Sequence, residues 1–109
     1  MTTATTLTNH LQAILQTDVD AIIRDYTEAS VLVTPNGQLA GLTAIRGFFS
    51  QFIANSPPEL LAAITLTHQE ITGEIAYIIW KAEPFIPFAS DTFLIHDDMI
   101  VVQTGTLAS

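Results

Sequence analysis

From Leu61 to Leu107 the chain carries little but strand signals: runs of β-branched and aromatic residues broken at Thr72-Gly73-Glu74, at a proline-containing loop and at Asp97-Asp98. That spacing predicts strands over about 61–71, 75–83, 90–96 and 99–107, joined as long antiparallel hairpins. The stretch Ile75 to Trp80 is apolar at both alternating positions, whereas a strand with one wet face should alternate. Both of its faces are therefore predicted to be covered, one by helices and the other by a second subunit, with Trp80 turned toward that subunit.

The first half of the chain supplies those helices. Leu7, Leu11, Ile14 and Leu15 fall at i, i+4, i+7 and i+8, which predicts an apolar stripe on a helix from about Thr5 to Gln16. Asp18 suits the N-cap of a second helix, with Val19, Ile22, Ile23 and Tyr26 as its apolar face. Ser30 to Thr34 reads as a strand ended by Pro35-Asn36-Gly37, where proline presets φ and Asn-Gly tolerates positive φ. Beyond Gly41, the positions Ile45, Phe48, Phe49, Phe52 and Ile53 repeat the helical period until Ser56-Pro57-Pro58 stops it. Helices first and strands last give an α+β class. No repeat or linker divides the 109 residues, so one domain over 1–109 is expected.

Charge excludes several partners. Three basic residues, Arg24, Arg46 and Lys81, stand against eleven acids, for a formal net charge of -8. Nucleic-acid binding needs clustered cations that displace counterions, and three scattered ones form no stripe. Anionic membranes are disfavoured on the same ground. No apolar run approaches the ~20 residues of a spanning helix, and MTTATTLTNH lacks the features of a secretion signal, so a cytoplasmic location is expected. Without cysteine there is no disulfide or thiolate zinc site. No HxH or HExxH spacing occurs, and neither a metal nor another cofactor is expected. A charged fraction of 13% is thin cover for so apolar a chain and points to a homodimer formed through the sheet.

The order of elements resembles the cone-shaped domain of the nuclear transport factor two-like superfamily. "TDVDAIIRDYTEASVLVTPNGQLAGLTAIRGFF" (Thr17 to Phe49) looks like that family's helix-strand-helix stretch, and "SDTFLIHDDMIVVQTGTL" (Ser90 to Leu107) looks like its closing hairpin. The SnoaL-like and ketosteroid-isomerase-like branches are most similar in style. The resemblance implies a cystatin-like roll, a cone-shaped curved antiparallel sheet wrapped on three N-terminal helices. For activity it implies little, since isomerases, cyclases, dehydratases and non-catalytic proteins share the architecture.

Ketosteroid isomerase pairs an Asp base with an oxyanion hole of a Tyr and a protonated Asp. By resemblance the base position, before the proline that ends the first strand, falls on Thr34, which cannot abstract a proton near neutral pH. The oxyanion-hole acid falls on Asp91, and the tyrosine position on His10. With Asp91 inward, alternation turns Phe93 and Ile95 inward too. The matched register adds Tyr77, Ile79, Lys81 and Glu83, then Val101, Gln103 and Gly105.

The expected site is thus an apolar cone with a few polar fittings. Asp91, His10 and Glu83 are the acid-base candidates; Lys81, Gln103, Tyr77, Ile79, Phe52, Phe93 and Thr34 are the ligand-facing ones. Each polar group has a plainer reading. Asp91 can be a carboxylate paired for stability alone, His10 a boundary residue of its helix, Lys81 and Glu83 a surface ion pair, and His68 and His96 solvated edge residues. The leading functional expectation is a homodimeric domain that binds a compact, mostly apolar small molecule through an oxygen group held by Asp91 and His10, with Lys81 or Gln103 as a further anchor. The alternatives are a proton-transfer enzyme and a non-catalytic dimerisation module with a filled core.

Overall fold

The computed structural model describes residues 2–108; Met1 and Ser109, the ends of the expected domain, lie outside the described residues. The elements run α1 (Thr3–Leu15), α2 (Val19–Ile23), β1 (Tyr26–Thr34), β2 (Gly37–Ala40), α3 (Leu42–Asn55), α4 (Pro58–Ala63), β3 (Thr65–Thr72), β4 (Ile75–Ala82), β5 (Ile86–His96) and β6 (Met99–Ala108). All six strands form one sheet in the order β2-β1-β6-β5-β4-β3. It is antiparallel except where β1 lies parallel to β6. This is the α+β roll expected from the sequence.

Local chemistry sets the element ends. Thr2 caps α1 by accepting from the Thr5 N–H, and Asp18 caps α2 by accepting from the Ala21 N–H at 3.1 Å. The start of α3 is capped from a distance: Gly41 adopts φ 88, and the Leu42 N–H donates to the Glu28 carboxylate on β1 at 2.8 Å. Asp97 and Asp98 both have positive φ between the paired residues His96 and Met99, the two-residue type I′ geometry that matches strand twist.

Three differences from the sequence reading have local causes. Pro58 opens a short helix, α4, so β3 begins at Thr65 rather than Leu61, because proline is preorganised for the first helical turn. Gly37 to Ala40 forms a short strand that turns back on β1, since only Pro35 and Asn36 separate the paired Thr34 and Gly37. Tyr26 belongs to β1 instead of the face of α2, whose helix ends at Ile23.

The sheet curls around the helices, helped by irregular pairings in β1, β3, β4 and β6. Leu7 of α1, Ile22 of α2 and Ile45 and Phe49 of α3 pack on Leu32, Ala76, Ile78, Phe93, Ile95 and Ile100 of its concave face. Burying one such side chain is worth roughly 1.5–3 kcal/mol. A smaller cluster of Ala82, Ile86 and Ala89 sits beneath Leu60, Ala63 and Ile64, and Trp80 joins both clusters. No helix among the described residues is long and apolar enough to cross a membrane.

Candidate functional site

Helix α1 faces the sheet with Thr6, Leu7, His10 and Ala13, so the fully buried His10 lies at the centre of its core side. The expected stripe is thereby rotated: Leu11, Ile14 and Leu15 border a cavity instead of the densest packing, and Leu15 is 54% exposed at its edge. The cavity encloses about 490 Å³ between α1, α3, the start of β3 and the concave sheet. That lies within the ~300–1,000 Å³ usual for small-molecule sites.

Strand pairing decides what enters it. Asp91 stands opposite Ile78 on β4 and opposite Gly105 on β6. Directly opposed residues share a face, so Ala76, Ile78, Trp80 and Ala82 turn inward with Asp91 and Phe93. Tyr77, Ile79, Lys81 and Glu83, expected to face the ligand, therefore do not line the cavity. Lys81 pairs with Glu83 at 2.7 Å on the outside, their side chains 42% and 61% exposed. Trp80, expected to face a second subunit, lines the cavity. In β6 the inward position before Gln103 is Ile100 rather than Val101. Leu94 pairs with Val102 and Ile95 with Ile100, which leaves Val101 unopposed and shifts the phase by one.

Seven expected residues do share the cavity wall: His10, Thr34, Phe52, Asp91, Phe93, Gln103 and Gly105. Thr34 stands at the wall with its hydroxyl already engaged in the β1–β2 turn, donating to the Gly37 carbonyl and accepting from the Asn36 N–H. His68 and His96 lie on the surface beside Glu70 and Glu74.

Asp91 is held by two donors. The Trp80 indole N–H donates to Oδ2 at 2.8 Å, and the Gln103 side-chain amide donates to Oδ1 at 3.2 Å. Behind Gln103, the buried Tyr26 hydroxyl donates to its Oε1, while His10 Nε2 lies 3.4 Å from the same phenol oxygen. Tyr26 has a single proton and gives it to Gln103, so the His10–Tyr26 bond requires the proton on Nε2. Every link then points one way, from His10 to Tyr26 to Gln103 to Asp91. His10 Nδ1 has no hydrogen-bond partner and faces Asp25 Oδ2 at 3.7 Å.

Burial pushes the Asp91 carboxyl above its usual range; the bonds from Trp80 and Gln103 and the nearby His10 lower it without cancelling the rise. Burial, reinforced by Asp91 and Asp25, raises Tyr26 well above the ordinary tyrosine value, so it remains a phenol and a donor. Gly105 completes the arrangement, because a Cβ there would overlap Asp91 Oδ1. Among the described residues no group of three or more His, Asp or Glu side chains converges as a metal site would require.

Sequence reasoning missed Trp80 as a donor to Asp91, Tyr26 as the donor behind Gln103, and the room that Gly105 leaves for the carboxylate. The Gly105 signal was available: a glycine at an inward position opposite an acid marks room reserved for that acid.

The cone and its cavity define the nuclear transport factor two-like (NTF2-like) fold, and solved structures agree. An NTF2-like protein of unknown function from Mesorhizobium loti superposes with a TM-score of 0.79 at 19% identity, over 98% of this chain and 91% of that one. A putative polyketide cyclase from Sinorhizobium meliloti gives 0.75 at 17% identity, over 92% of each chain. An uncharacterized cystatin fold protein from Novosphingobium aromaticivorans gives 0.76 at 13% identity, over 96% of this chain and 97% of that one. No protein-family model and no curated protein matches the sequence.

Proposed function

We infer that the chain is a single SnoaL-like domain that binds a compact, mostly apolar small molecule, with one polar group of the ligand seated on Asp91. The observation that carries this reading is a carboxylate on the wall of a largely apolar cavity, held in place by Trp80 and Gln103. The open volume weighs against the module with a filled core. A thermal-shift screen of monofunctional apolar compounds tests the reading: binders raise the melting temperature, and Leu11→Trp, which narrows the cavity, removes the shift. A library in which no compound stabilises the protein, or stabilisation untouched by Leu11→Trp, overturns it.

A second reading, proton transfer, is favoured by the raised Asp91 carboxyl and by the chain of donors behind it. Asp91 would act as acid or base with His10 behind it, since Glu83 stands outside and Thr34 has no suitable pKa. Turnover of enolisable ketones that disappears in Asp91→Asn while binding persists supports chemistry; binding without turnover leaves the first reading alone.

The convex face supports the homodimer. Ile75, Leu94, Val102 and Val31 form one cross-strand row there, and Ile75 and Val33 are exposed. A second copy of the chain would cover that row by symmetric pairing. Sedimentation equilibrium should give a dimer that Val102→Lys dissociates.

A further inference from the structure

We propose that the group seated on Asp91 is a cation: a primary or secondary ammonium carried on a compact apolar frame. This rests on the small-molecule reading above and specifies its ligand. Because the chain from His10 through Tyr26 and Gln103 donates in one direction, Asp91 is its terminal acceptor. A carboxylate offers about four lone-pair sites. Trp80 and Gln103 use one on each oxygen, which leaves capacity for a ligand that donates.

Among the described residues no Lys or Arg side chain uses that capacity. None of the cavity-lining side chains is Lys or Arg. Arg46 pairs with Asp20 at 2.9 Å, Lys81 pairs with Glu83 outside, and Arg24 is exposed. The titratable groups near Asp91 are His10 on α1 and Tyr26 on β1, while β4 and β6 contribute the neutral Trp80 and Gln103. An ammonium supplies the missing countercharge through a charge-assisted bond, about twice as strong as a neutral one. Phe48, Phe49, Phe52 and Phe93 add ring surfaces that attract cations. The net charge of -8 draws cations toward the protein and repels anionic ligands.

The adamantane series isolates head-group chemistry on one frame. 1-Adamantylamine, 1-adamantanol, 2-adamantanone and 1-adamantanecarboxylic acid are titrated by calorimetry, and emission of Trp80, the only tryptophan, reports occupancy. At pH 7.5 the amine should bind at least about tenfold tighter than the alcohol or ketone, and the acid weakest. Asp91→Asn should bring the amine to the level of the alcohol. In the wild type, lowering the pH should weaken the amine as Asp91 takes up its proton, a measurement that holds even where the variant does not fold. An alcohol or ketone that equals the amine, or a ketone that gains affinity at low pH, overturns the cationic assignment and leaves the small-molecule reading standing. Exclusion of all four probes from the cavity defeats both.

Discussion

Asp91 and Glu83 are carboxylates eight positions apart, on opposite faces of the sheet. Glu83 meets Lys81 in water, where attraction is screened and two long side chains lose freedom to hold one geometry. Asp91 has no Lys or Arg side chain beside it and is held by two neutral N–H donors in a largely apolar wall. The charged pair is therefore the weaker arrangement. What gives a carboxylate structural weight is the cost of stranding it away from water, and only the concave face imposes that cost.

The largest effect should come from the residue that gives Asp91 its room. Gly105→Ala places a methyl group where Oδ1 lies, so either the strand or the carboxylate must move and the Gln103 bond is lost. A loss of about 2–3 kcal/mol is expected from overpacking together with the stranded acceptor, read by urea melting. Gly47→Ala is the control: it sits on α3 with nothing near its added Cβ and should be neutral or slightly stabilising. Equal effects from the two substitutions would mean that the carboxylate is not confined against β6.

Trp80→Phe keeps an aromatic ring but removes the N–H, leaving Oδ2 with one donor fewer. About 1–2 kcal/mol should be lost at neutral pH. The loss should shrink in acid, because the bond favours the ionised form. The sign for Asp91 itself follows from its raised pKa. Its favourable contribution is complete below the unfolded value of 3.8 and is lost as pH rises through the folded value. Wild-type stability relative to Asp91→Asn should therefore grow as pH falls from neutral toward 4. A difference that is flat with pH would place Asp91 in water, like Glu83.

The architecture was legible because its signals are local and repeated: helical periods before Ser56, branched strands after it, turn residues between them. The site was legible wherever one strand could be phased by its own pattern. Phe93 and Ile95 followed from Asp91 because β5 keeps its alternation through 91–95, burying both, while the extra residue at the register shift lies in β6. Strand β4 is apolar on both faces, so its sequence gives no preference between Ile78 and Ile79, and register transferred from a resemblance was one residue out. That slip exchanged Trp80 for Lys81. Val101 failed for a related reason, since no residue type announces a bulge. Tyr26 was hidden by its position at a helix end, where its spacing from Ile22 continues the helical period into a strand.

The outer pair gives the smallest expected effect. Lys81→Met removes one member of an exposed ion pair and keeps an unbranched apolar stem, so stability should change by less than about 0.5 kcal/mol. Salt should erase even that, because screening acts fully on charges in water. Ligand affinity should stay the same, since Lys81 borders no part of the cavity. A larger effect would have two possible sources, and protein concentration separates them. If a second copy covers the convex face, the cost of Lys81→Met should fall on dilution as dimers dissociate. If the cost is independent of concentration, Lys81 is coupled to the interior, and the contrast between the two faces of the sheet fails at its weaker side.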